Sequence, residues 1–378
     1  MARFELKSTD LDELSAILAP LGPTRTAVLK LFASVFAHQA LDMAEVAKTR
    51  QVTAPVRDWV QANATLSRLR IVERRKADDG FVKYLFESPL GGRFEAVRIP
   101  LFDTKYVVCI SSQVGCALAC DFCMTGKLGF ERNLETWEIV DQVLQIRAEA
   151  ELPVRGVVFM GMGEPLLNYV NATRAARIMC HPAGMAIAAR NITFSTAGWV
   201  PGIKRYRAEQ LPYRLAFSVT SAIPEKRAQV LPVEKTWPLP SLVEQIRLHA
   251  QETGERAMVA YVMISGFNVG LEDALALKAL FAGIPVKIDL IDVTDPTGKY
   301  QPPTTEELER FRSHLQVLEA PIARRYSGGK DIGAACGTLE ASQRGGTLLE
   351  LRSVPAPTPP GRSADPRGSP RNTQAQAD

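Results

Sequence analysis

The alternation of apolar and amphipathic segments after residue 104 constrains the fold of this chain more than any other feature. Six short runs are rich in apolar and β-branched residues, which is typical of buried strands: KYVVCIS, VRGVVFMG, RNITFSTAG, YRLAFSVTS, AMVAYVMIS and VKIDLIDV. Between several of them lie amphipathic stretches such as LETWEIVDQVLQIRAEAE, LPSLVEQIRLHAQETG, GLEDALALKALFAG and TTEELERFRSHLQVLEA. Repeated strand–helix units predict an α/β fold with a parallel sheet. Six units predict a partial (βα)6 barrel, with its chemistry at the carboxyl ends of the strands.

The amino-terminal part of the chain shows a different pattern and is predicted to be mostly helical. STDLDELSAILAPLG offers Ser8 or Thr9 as the N-cap of a first helix. TRTAVLKLFASVFAHQA and VRDWVQANATLSRLRI predict a second and a third helix. RIVERRKADDGFVKYLFES predicts a β-hairpin that turns at Asp79 and Gly80, and RFEAVRIP predicts a further strand.

These changes of pattern divide the chain into four segments. Residues 352–378 are rich in Pro, Ser, Gly and Arg and lack apolar periodicity, so we expect a disordered tail there. The complete division is a helical accessory domain over residues 1–75, a β-hairpin connector over 76–100, a barrel over 101–341 and the tail over 352–378.

Composition restricts the setting in which this protein works. With 378 residues, 46% of them hydrophobic, the chain can bury a substantial core. The net charge of +4 neither demands nor excludes nucleic acid as a partner. The amino terminus lacks the layout of a signal peptide, and no apolar run is long enough to span a bilayer, so we expect a cytoplasmic protein without a membrane partner. In a reducing compartment, clustered cysteines more often serve metal binding or catalysis than structural disulfides.

Three cysteines are crowded into the segment SSQVGCALACDFCMTG with the spacing C-x3-C-x2-C: Cys116, Cys120 and Cys123. A structural zinc site needs four ligands, and the nearest further candidates are Cys109 and the distant Cys180-His181 pair. A [4Fe–4S] cluster held by three cysteines instead leaves one iron open. That iron can chelate an amine and a carboxylate, which the methionine end of S-adenosylmethionine carries. The short ligand set therefore favours a cluster over zinc.

This spacing resembles that of the radical S-adenosylmethionine superfamily, and a second segment supports the resemblance. GMGEP, residues 161–165, follows the second predicted barrel strand and is similar to the glycine-rich segment that holds the amino group of the cosubstrate. Gly161 and Gly163 permit close backbone approach, and Glu164 supplies a carboxylate for an ammonium group. Gly-Glu-Pro also makes ordinary turns, but its place after the strand that follows the cysteine loop strengthens the interpretation.

Four segments together resemble the RlmN/Cfr family of RNA methyltransferases over residues 90 to 340: CISSQVGCALACDFC, FMGMGEPLLN, ITFSTAG and DIGAACGTL. The resemblance implies an enzyme that methylates C2 or C8 of an adenosine by a radical mechanism, using a [4Fe–4S] cluster and S-adenosylmethionine. It also implies an RNA substrate such as 23S ribosomal RNA or transfer RNA, an electron donor such as flavodoxin or ferredoxin, and a monomeric enzyme. The helical amino-terminal part resembles the family's accessory domain only loosely.

The resemblance assigns chemical steps to three residues outside the cysteine cluster. Cys336, in DIGAACGTL, matches the cysteine that carries the methyl group as S-methylcysteine. Cys109 matches the resolving cysteine that forms a transient disulfide with it, and Glu95, in RFEAVRIP, matches the proton acceptor. A free cysteine is commonly a small buried hydrophobe, which is the interpretation we adopt for Cys180. A lone glutamate on a strand is more often solvated, so the role of Glu95 depends on the resemblance alone.

The resemblance further implies a set of cosubstrate-binding residues at strand ends, where hydroxyl groups can bond a ribose. This chain departs from the family in having Ser218-Val219-Thr220 in place of Ser-x-His, and Thr294 in place of an asparagine. The RNA, and the choice of C2 or C8, therefore stay open. The implied set is Gly163, Glu164, Ser195, Ser218, Val219, Thr220 and Thr294.

Two alternatives are weighed against this hypothesis. One is a radical enzyme acting on a small molecule or a protein, but most such enzymes need no methyl-carrying cysteine in an AACG segment. The other is a zinc-stapled RNA-binding protein, which metal analysis distinguishes from an iron–sulfur enzyme. RLRIVERRK, KRYRAEQLPYR and ARRYSGGK mix basic residues with tyrosine, as RNA contacts do, although such runs are usually solvated faces.

Overall fold

Most strands of this protein belong to one ten-stranded sheet, in a computed structural model that describes residues 3–339. Numbered in chain order, the described strands are β1 (Phe4–Glu5), β2 (Ala64–Thr65), β3 (Arg70–Lys76), β4 (Val82–Glu87), β5 (Arg93–Leu101), β6 (Lys105–Cys109), β7 (Gln113–Gly115), β8 (Phe130–Asn133), β9 (Val154–Phe159), β10 (Ile192–Thr196), β11 (Arg214–Ser218), β12 (Ala257–Met263), β13 (Val286–Asp292) and β14 (Ile322–Arg325). The sheet order is β14-β13-β12-β11-β10-β9-β6-β5-β4-β3, and β1-β2 and β7-β8 form separate pairs.

The parallel part of the sheet comprises β6 and β9 to β14, each paired with its neighbour. Six of these strands are the predicted ones, so the α/β fold with a partial parallel barrel is confirmed. The seventh, β14, reads IARR, which is too short and polar for its pattern to predict a strand. All seven strands point the same way, so the loops that follow them meet at one edge of the sheet.

Helices cover the parallel strands, which explains why strands such as β12, AMVAYVM, are apolar almost throughout. The helix N-caps are encoded by residues adjacent to each helix, as at α12, where Thr304 Oγ1 accepts from the backbone N–H of Glu307. The described α-helices are α1 (Leu11–Leu18), α2 (Arg25–Phe36), α3 (Met43–Ala47), α4 (Ala54–Asn63), α5 (Met124–Lys127), α6 (Thr136–Glu149), α7 (Tyr169–Cys180), α8 (Val200–Ala208), α9 (Pro224–Val230), α10 (Leu239–Thr253), α11 (Leu271–Leu280) and α12 (Thr305–His314).

Two details of the helical amino-terminal part differ from the sequence prediction. The N-cap of α1 is Asp10, whose carboxylate accepts from the N–H of Glu13 at 3.0 Å, and neither Ser8 nor Thr9 takes that place. The predicted third helix, α4, ends at Asn63, because Ala64 and Thr65 pair with β1 in a separate two-stranded sheet. Tertiary pairing thus overrides the local helical pattern there.

The antiparallel part of the sheet consists of β3, β4 and β5, which extend it beyond β6. The predicted hairpin turn is confirmed, since the N–H of Gly80 donates to the carbonyl of Ala77 at 3.1 Å and Gly80 has a φ of +84°. The described residues form one compact unit. The boundaries at residues 75 and 100 remain predictions, and the tail predicted over 352–378 lies outside the described residues. Within residues 3–339, no helix is long and apolar enough to cross a membrane.

Candidate active site

The three clustered cysteines lie on a tightly folded loop between β7 and α5. The backbone N–H of Cys116 donates to the carbonyl of Gly129 at 2.8 Å, and that of Cys123 donates to the carbonyl of Cys120 at 3.0 Å. A Cβ atom on Gly126 would lie 2.8 Å from both the nitrogen and the carbonyl oxygen of Cys120. The loop therefore folds on itself with backbone packed against backbone, which holds the three thiols close together.

The electrostatics of these thiols favour the neutral form as long as no metal is bound. Burial raises the pKa of Cys116 to about 12, and it raises those of Cys120 and Cys123 above their usual range. Neighbouring thiols of the same loop add to the rise for Cys116 and Cys120. Metal ligation requires thiolates, and the positive charge of bound iron offsets this cost.

The arrangement does not match a closed zinc site. In the part of the chain that the structure describes, no three His, Cys, Asp or Glu side chains converge as ligands of a single metal ion do. A cubane cluster requires no such convergence, because each cysteine binds a different iron. The distant Cys180 ends α7, and the neighbouring His181 packs its ring edge-on against Phe32, with 5.1 Å between the ring centroids. The pair is thus part of helix packing.

The glycine-rich segment after β9 forms a narrow cradle beside the cysteine loop. Gly163 has a φ of +98°, and a Cβ atom there would lie 2.5 Å from the Cβ of Gln113, so only glycine fits. The carboxylate of Glu164 is buried and accepts from the N–H groups of Leu166 at 3.1 Å and Ala197 at 3.0 Å. Burial nevertheless raises the pKa of Glu164 to about 7. A bound ammonium group would offset the cost of the charged carboxylate.

The strand ends next to Glu164 carry the predicted hydroxyl-bearing residues. Ser195 lies on β10, Ser218 ends β11 with Val219 directly after it, and Thr294 follows β13. Thr220 is fully buried with a φ of +60°, which is rare for a β-branched residue. Within the described residues, the hydroxyls of Thr220 and Thr294 are buried without a hydrogen-bond partner. Unpaired buried hydroxyls cost about 1–3 kcal/mol each, so these two are suited to a polar ligand.

Glu95, the predicted proton acceptor, is buried and belongs to an ion pair. Its carboxylate lies 3.0 Å from the Nζ of Lys83, and both side chains are at most 5% exposed. Glu95 therefore does not have the solvated environment that is usual for a glutamate on a strand. The hydroxyl of Ser111 donates to the carbonyl of Glu95 at 2.5 Å and accepts from the N–H of Met162 at 2.8 Å. This contact ties β5 to the glycine-rich segment.

Cys109 and Cys336 come close together in space although they lie near opposite ends of the barrel sequence. Cys109 ends β6 and is buried, whereas Cys336 is exposed. Burial raises the pKa of Cys109 well above its usual range, and the nearby Cys336 raises it further. Cys336 also contributes to the raised pKa of Cys123, after burial. The Cys336 sulfur is thus near both Cys109 and the cysteine loop.

The segment that carries Cys336, residues 326–339, is here called the carrier segment, and its end is anchored to the cysteine loop. The N–H of Met124 donates to the carbonyl of Gly337 at 2.8 Å. The hydroxyl of Thr125 donates to the carbonyl of Leu339 at 2.6 Å. Because Met124 directly follows Cys123, these two hydrogen bonds fix Cys336 at the mouth of the cysteine loop.

The start of the carrier segment is anchored to the hairpin turn of the antiparallel part. The carboxylate of Asp79 accepts from the hydroxyl of Tyr326 at 2.9 Å and from the N–H of Gly329 at 2.8 Å. Within the segment, the N–H of Cys336 donates to the hydroxyl of Ser327 at 3.1 Å. The sequence pattern predicts Asp79 only as a turn residue, and its role as an anchor is a tertiary feature.

Lys83 is the site residue that sequence reasoning missed most clearly. It stands in β4 two residues from Leu85, which pairs in register with Glu95 across the neighbouring strand. A lysine and a glutamate on the same face of neighbouring antiparallel strands are placed to pair. The alternation of side chains along the two strands could have predicted this pair, but only if the register of the strands had been known.

The fold and site together define a radical S-adenosylmethionine enzyme. A partial parallel barrel presents three clustered thiols, and a carboxylate in a glycine cradle follows the next barrel strand. Residues 110–231 match the Radical SAM superfamily. The buried carboxylate, the cradle and the two unpaired threonine hydroxyls fit the polar groups of S-adenosylmethionine, and the three thiols fit a cluster with one open iron.

Comparison with known proteins narrows the class to one family. The chain is 68% identical to a probable RNA methyltransferase of Myxococcus xanthus (strain DK1622), over 94% of this chain and 98% of that protein. It is 36% identical to the dual-specificity RNA methyltransferase RlmN of Geobacter sulfurreducens, over 89% and 92% of the two chains. The crystal structure of a radical SAM methyltransferase from Sphaerobacter thermophilus matches with a TM-score of 0.82 and 34% identity, over 90% and 100% of the chains. The chain belongs to the RlmN/Cfr family of radical S-adenosylmethionine RNA methyltransferases, and its cofactors are a [4Fe–4S] cluster and S-adenosylmethionine.

Proposed function

We propose that this enzyme methylates a ring carbon of an adenosine in RNA, C2 or C8, through a methyl group carried by Cys336. The observation that carries the proposal is the position of the exposed Cys336 thiol beside both Cys109 and the cysteine loop. These ring carbons are electron-poor and do not attack a sulfonium methyl group directly. A thiol placed between a radical source and a second thiol overcomes this difficulty, because it can carry the methyl group to the ring carbon as a radical and then be released.

The cofactor side of the site is assigned to residues of the parallel strands. Cys116, Cys120 and Cys123 hold the cluster, and Glu164, in the Gly163 cradle, binds the ammonium group of the cosubstrate. Ser195, Ser218, Val219, Thr220 and Thr294 line the remainder of the cosubstrate pocket. When bound, the cluster and S-adenosylmethionine supply a methyl group and a 5′-deoxyadenosyl radical. The support is the buried, unpaired hydroxyls of Thr220 and Thr294 and the raised pKa of Glu164.

The remaining steps fall to three side chains of this protein. The Cys336 sulfur accepts a methyl group by displacement and, after loss of one hydrogen atom, its carbon bonds to the adenine ring. Glu95 accepts the ring proton, and the unpaired electron left on the ring needs an acceptor, a role that the bound cluster would supply, so that a closed-shell thioether joins Cys336 to the adenine. The Cys109 thiolate then attacks the Cys336 sulfur, so that a disulfide forms and the methylene carbon leaves with the electron pair and takes a proton. The buried ion pair with Lys83 supports this role for Glu95, because it holds the carboxylate in one place.

The partners follow from the same chemistry. We propose 23S ribosomal RNA or transfer RNA as the substrate, because relatives at 36% identity carry the name dual-specificity RNA methyltransferase. Formation of the radical consumes an electron, which a protein such as flavodoxin or ferredoxin supplies. We further propose a monomer that works in the cytoplasm, where a thiol reductant can regenerate Cys109 and Cys336 after each turnover.

The deciding experiment is mass spectrometry of RNA nucleosides from cells with and without the gene. A methyladenosine that is lost on deletion, and restored by the wild-type enzyme but not by Cys336→Ala, names the product and its carbon. No change in any RNA fraction would favour a radical enzyme acting on a small molecule or a protein. Purified protein that holds one zinc ion and no iron would contradict the radical mechanism altogether.

A further inference from the structure

Arg325 occupies an unusual place in the sheet. It ends β14, the seventh parallel strand, yet its guanidinium Nη1 donates to the sulfur of Met160, just after β9, at 3.2 Å. Four strands separate β14 from β9 in the sheet, so this contact exists only because the sheet curls into a barrel. Arg325 Nε lies 3.5 Å from the carboxylate of Asp289 on β13. The guanidinium therefore reaches across the barrel to Met160, on a side chain that is 34% exposed.

The buried Cys109 lies beside Met160, because Cys109 pairs in register with Val158 of β9. The backbone N–H of Met160 hydrogen-bonds to this thiol and, with the positive charge of Arg325, opposes the rise in pKa that burial and Cys336 produce at Cys109. Asp289 faces the guanidinium from β13, and the paired charges of Lys83 and Glu95 lie on the neighbouring strands β4 and β5. Among the groups that shift the pKa of Cys109, Arg325 is the one that carries a positive charge.

The release step needs Cys109 as a thiolate, because a neutral thiol is a poor nucleophile. Burial works against this requirement, since a buried thiol resists ionisation. A fixed guanidinium resolves the conflict, because it stays charged at all physiological pH values and stabilises an anion beside it. The Met160 contact holds the guanidinium on the side of the barrel where Cys109 lies.

We propose that Arg325 is the positioning residue of the release step, where its guanidinium stabilises the Cys109 thiolate that attacks the sulfur of Cys336. In that attack the S–S bond forms and the bond between sulfur and the methylene carbon breaks. The carbon keeps the electron pair and takes one proton, and the two thiols are oxidised to a disulfide. This inference rests on the proposed function, although its first test does not require RNA.

The first test uses the cluster-loaded enzyme under anaerobic conditions without RNA or S-adenosylmethionine, in a preparation whose Cys336 is shown by mass spectrometry to carry no methyl group. Oxidised glutathione forms a mixed disulfide with the exposed Cys336, and Cys109 then displaces glutathione to give a Cys109–Cys336 disulfide, quantified by peptide mass spectrometry. The displacement should be about threefold slower in Arg325→Met at pH 7.5 and should recover as the pH rises, because a pKa higher by one unit lowers the thiolate fraction about tenfold while making each thiolate about threefold more nucleophilic. Arg325→Lys keeps the charge and should retain most of the rate.

A matched control is Arg324→Met, which removes the adjacent guanidinium that pairs with Asp292 at 2.6 Å. It should follow the wild-type pH profile. An Arg325→Met profile that coincides with the wild type would overturn the proposal. If circular dichroism shows that Arg325→Met does not fold, Arg325→Gln, which retains polar character without charge, replaces it under the same criterion.

The second test adds RNA and separates this inference from the proposed function. In Arg325→Met, protein joined covalently to RNA should accumulate and should decay faster at higher pH, whereas in Cys109→Ala it should not decay at any pH. A variant that forms less adduct and releases it at the normal rate would show that Arg325 binds RNA, for example a phosphate, and the proposal would be wrong. If Cys109→Ala forms no adduct, the proposed function fails, while the glutathione test still decides the role of Arg325.

Discussion

The parallel and the antiparallel parts of the sheet supply different halves of the site in different ways. The parallel strands contribute residues at or just beyond their carboxyl ends, among them the cysteine loop, Glu164, Thr220 and Thr294. The antiparallel strands contribute Lys83 and Glu95 from within β4 and β5, and Asp79 from the hairpin turn. Strand polarity explains the first pattern, because parallel strands converge at one edge. Burial of the antiparallel face explains the second.

The two parts also manage charge differently. On the parallel side the thiols are half-buried and Glu164 is buried, and the cysteine loop itself carries no positive charge to compensate them. Their raised pKa values indicate that ligands provide this compensation. On the antiparallel side Glu95 already has Lys83 as its counter-charge. The comparison teaches that cofactor binding should depend on the parallel part, and methyl transfer after radical formation on the antiparallel part. The predictions below test this division.

The largest effect is expected for Cys120→Ala in the cysteine loop. Loss of one of the three proposed cluster ligands should abolish iron and sulfide binding, and formation of 5′-deoxyadenosine should fall to background. Iron and sulfide analysis of anaerobically purified protein checks this. Cys180→Ala is the control and should keep both iron and activity. A Cys120→Ala protein with a full complement of iron and sulfide would remove the basis for a cluster at this loop.

The next prediction concerns the Cys336 thiol and the Cys109 thiol, which lies where the parallel and antiparallel parts of the sheet meet. Cys109→Ala should accumulate protein covalently joined to RNA, visible as a nuclease-sensitive shift on a denaturing gel, because the adduct forms but cannot be released. Cys336→Ala and the double variant should show no shift, since the methyl carrier is missing. A shift in Cys336→Ala would place the adduct on another residue and would contradict the assigned order.

Replacing Glu95, the proposed base in the antiparallel part, should stop transfer without stopping radical formation. Glu95→Gln should lower the yield of methylated RNA by about 10²–10⁴-fold, the usual range for a general base, while 5′-deoxyadenosine still forms. Lys83→Met should act similarly and also destabilise the fold by about 3–5 kcal/mol, because it leaves a buried carboxylate unpaired.

The exposed Lys76 provides the control for this pair. Lys76→Met should leave both products and the stability unchanged, and Lys83→Arg should recover part of the methylation. Product ratios from liquid chromatography and urea unfolding measure the two effects. Equal loss of 5′-deoxyadenosine and methylated RNA in Glu95→Gln would break the proposed division of labour.

A smaller effect, in stability, is expected from Glu164 in the parallel part. Its pKa is raised from 4.5 to about 7, so the folded state holds this proton more tightly than the unfolded state. Stability of the cluster-free protein should therefore fall as the pH rises from 4.5 to about 7, by about 3 kcal/mol. Urea unfolding at several pH values should show that Glu164→Gln removes this slope. The exposed Glu319→Gln should keep it, and a slope that persists in Glu164→Gln would refute the assignment.

The smallest effect is expected at the anchor between the hairpin turn and the carrier segment. Asp79→Ala loses the two hydrogen bonds to the carrier segment, from Tyr326 and Gly329 and worth about 0.5–1.5 kcal/mol each, besides a long one from the N–H of Phe81. The carrier segment should loosen, so alkylation of Cys336 should speed up several-fold and methylation should slow by a similar factor. The neighbouring exposed Asp78→Ala is the control, and equal behaviour of the two variants would show that Asp79 anchors nothing.

Local patterns were sufficient to predict the six barrel strands, the hairpin turn at Gly80, the cysteine loop and the Glu164 segment. Each of these is encoded over a few consecutive residues, as a hydrophobic period, a turn dipeptide or a ligand spacing. The errors arose where a distant segment competes with a local pattern. The predicted third helix is cut short at Asn63 by pairing with β1, and the short strand β14 forms only because β13 is beside it.

The sequence by itself determined the class of fold and the residues suited to a cluster and a methyl-carrying thiol. Only the tertiary structure decided that Lys83 pairs with Glu95, that Asp79 anchors the carrier segment and that Arg325 contacts Met160 next to Cys109. These contacts depend on strand register and on how far the sheet curls, since β14 and β9 touch across the interior only in a closed enough barrel. Register and curvature are set by packing of the whole core, and no short stretch of sequence contains them.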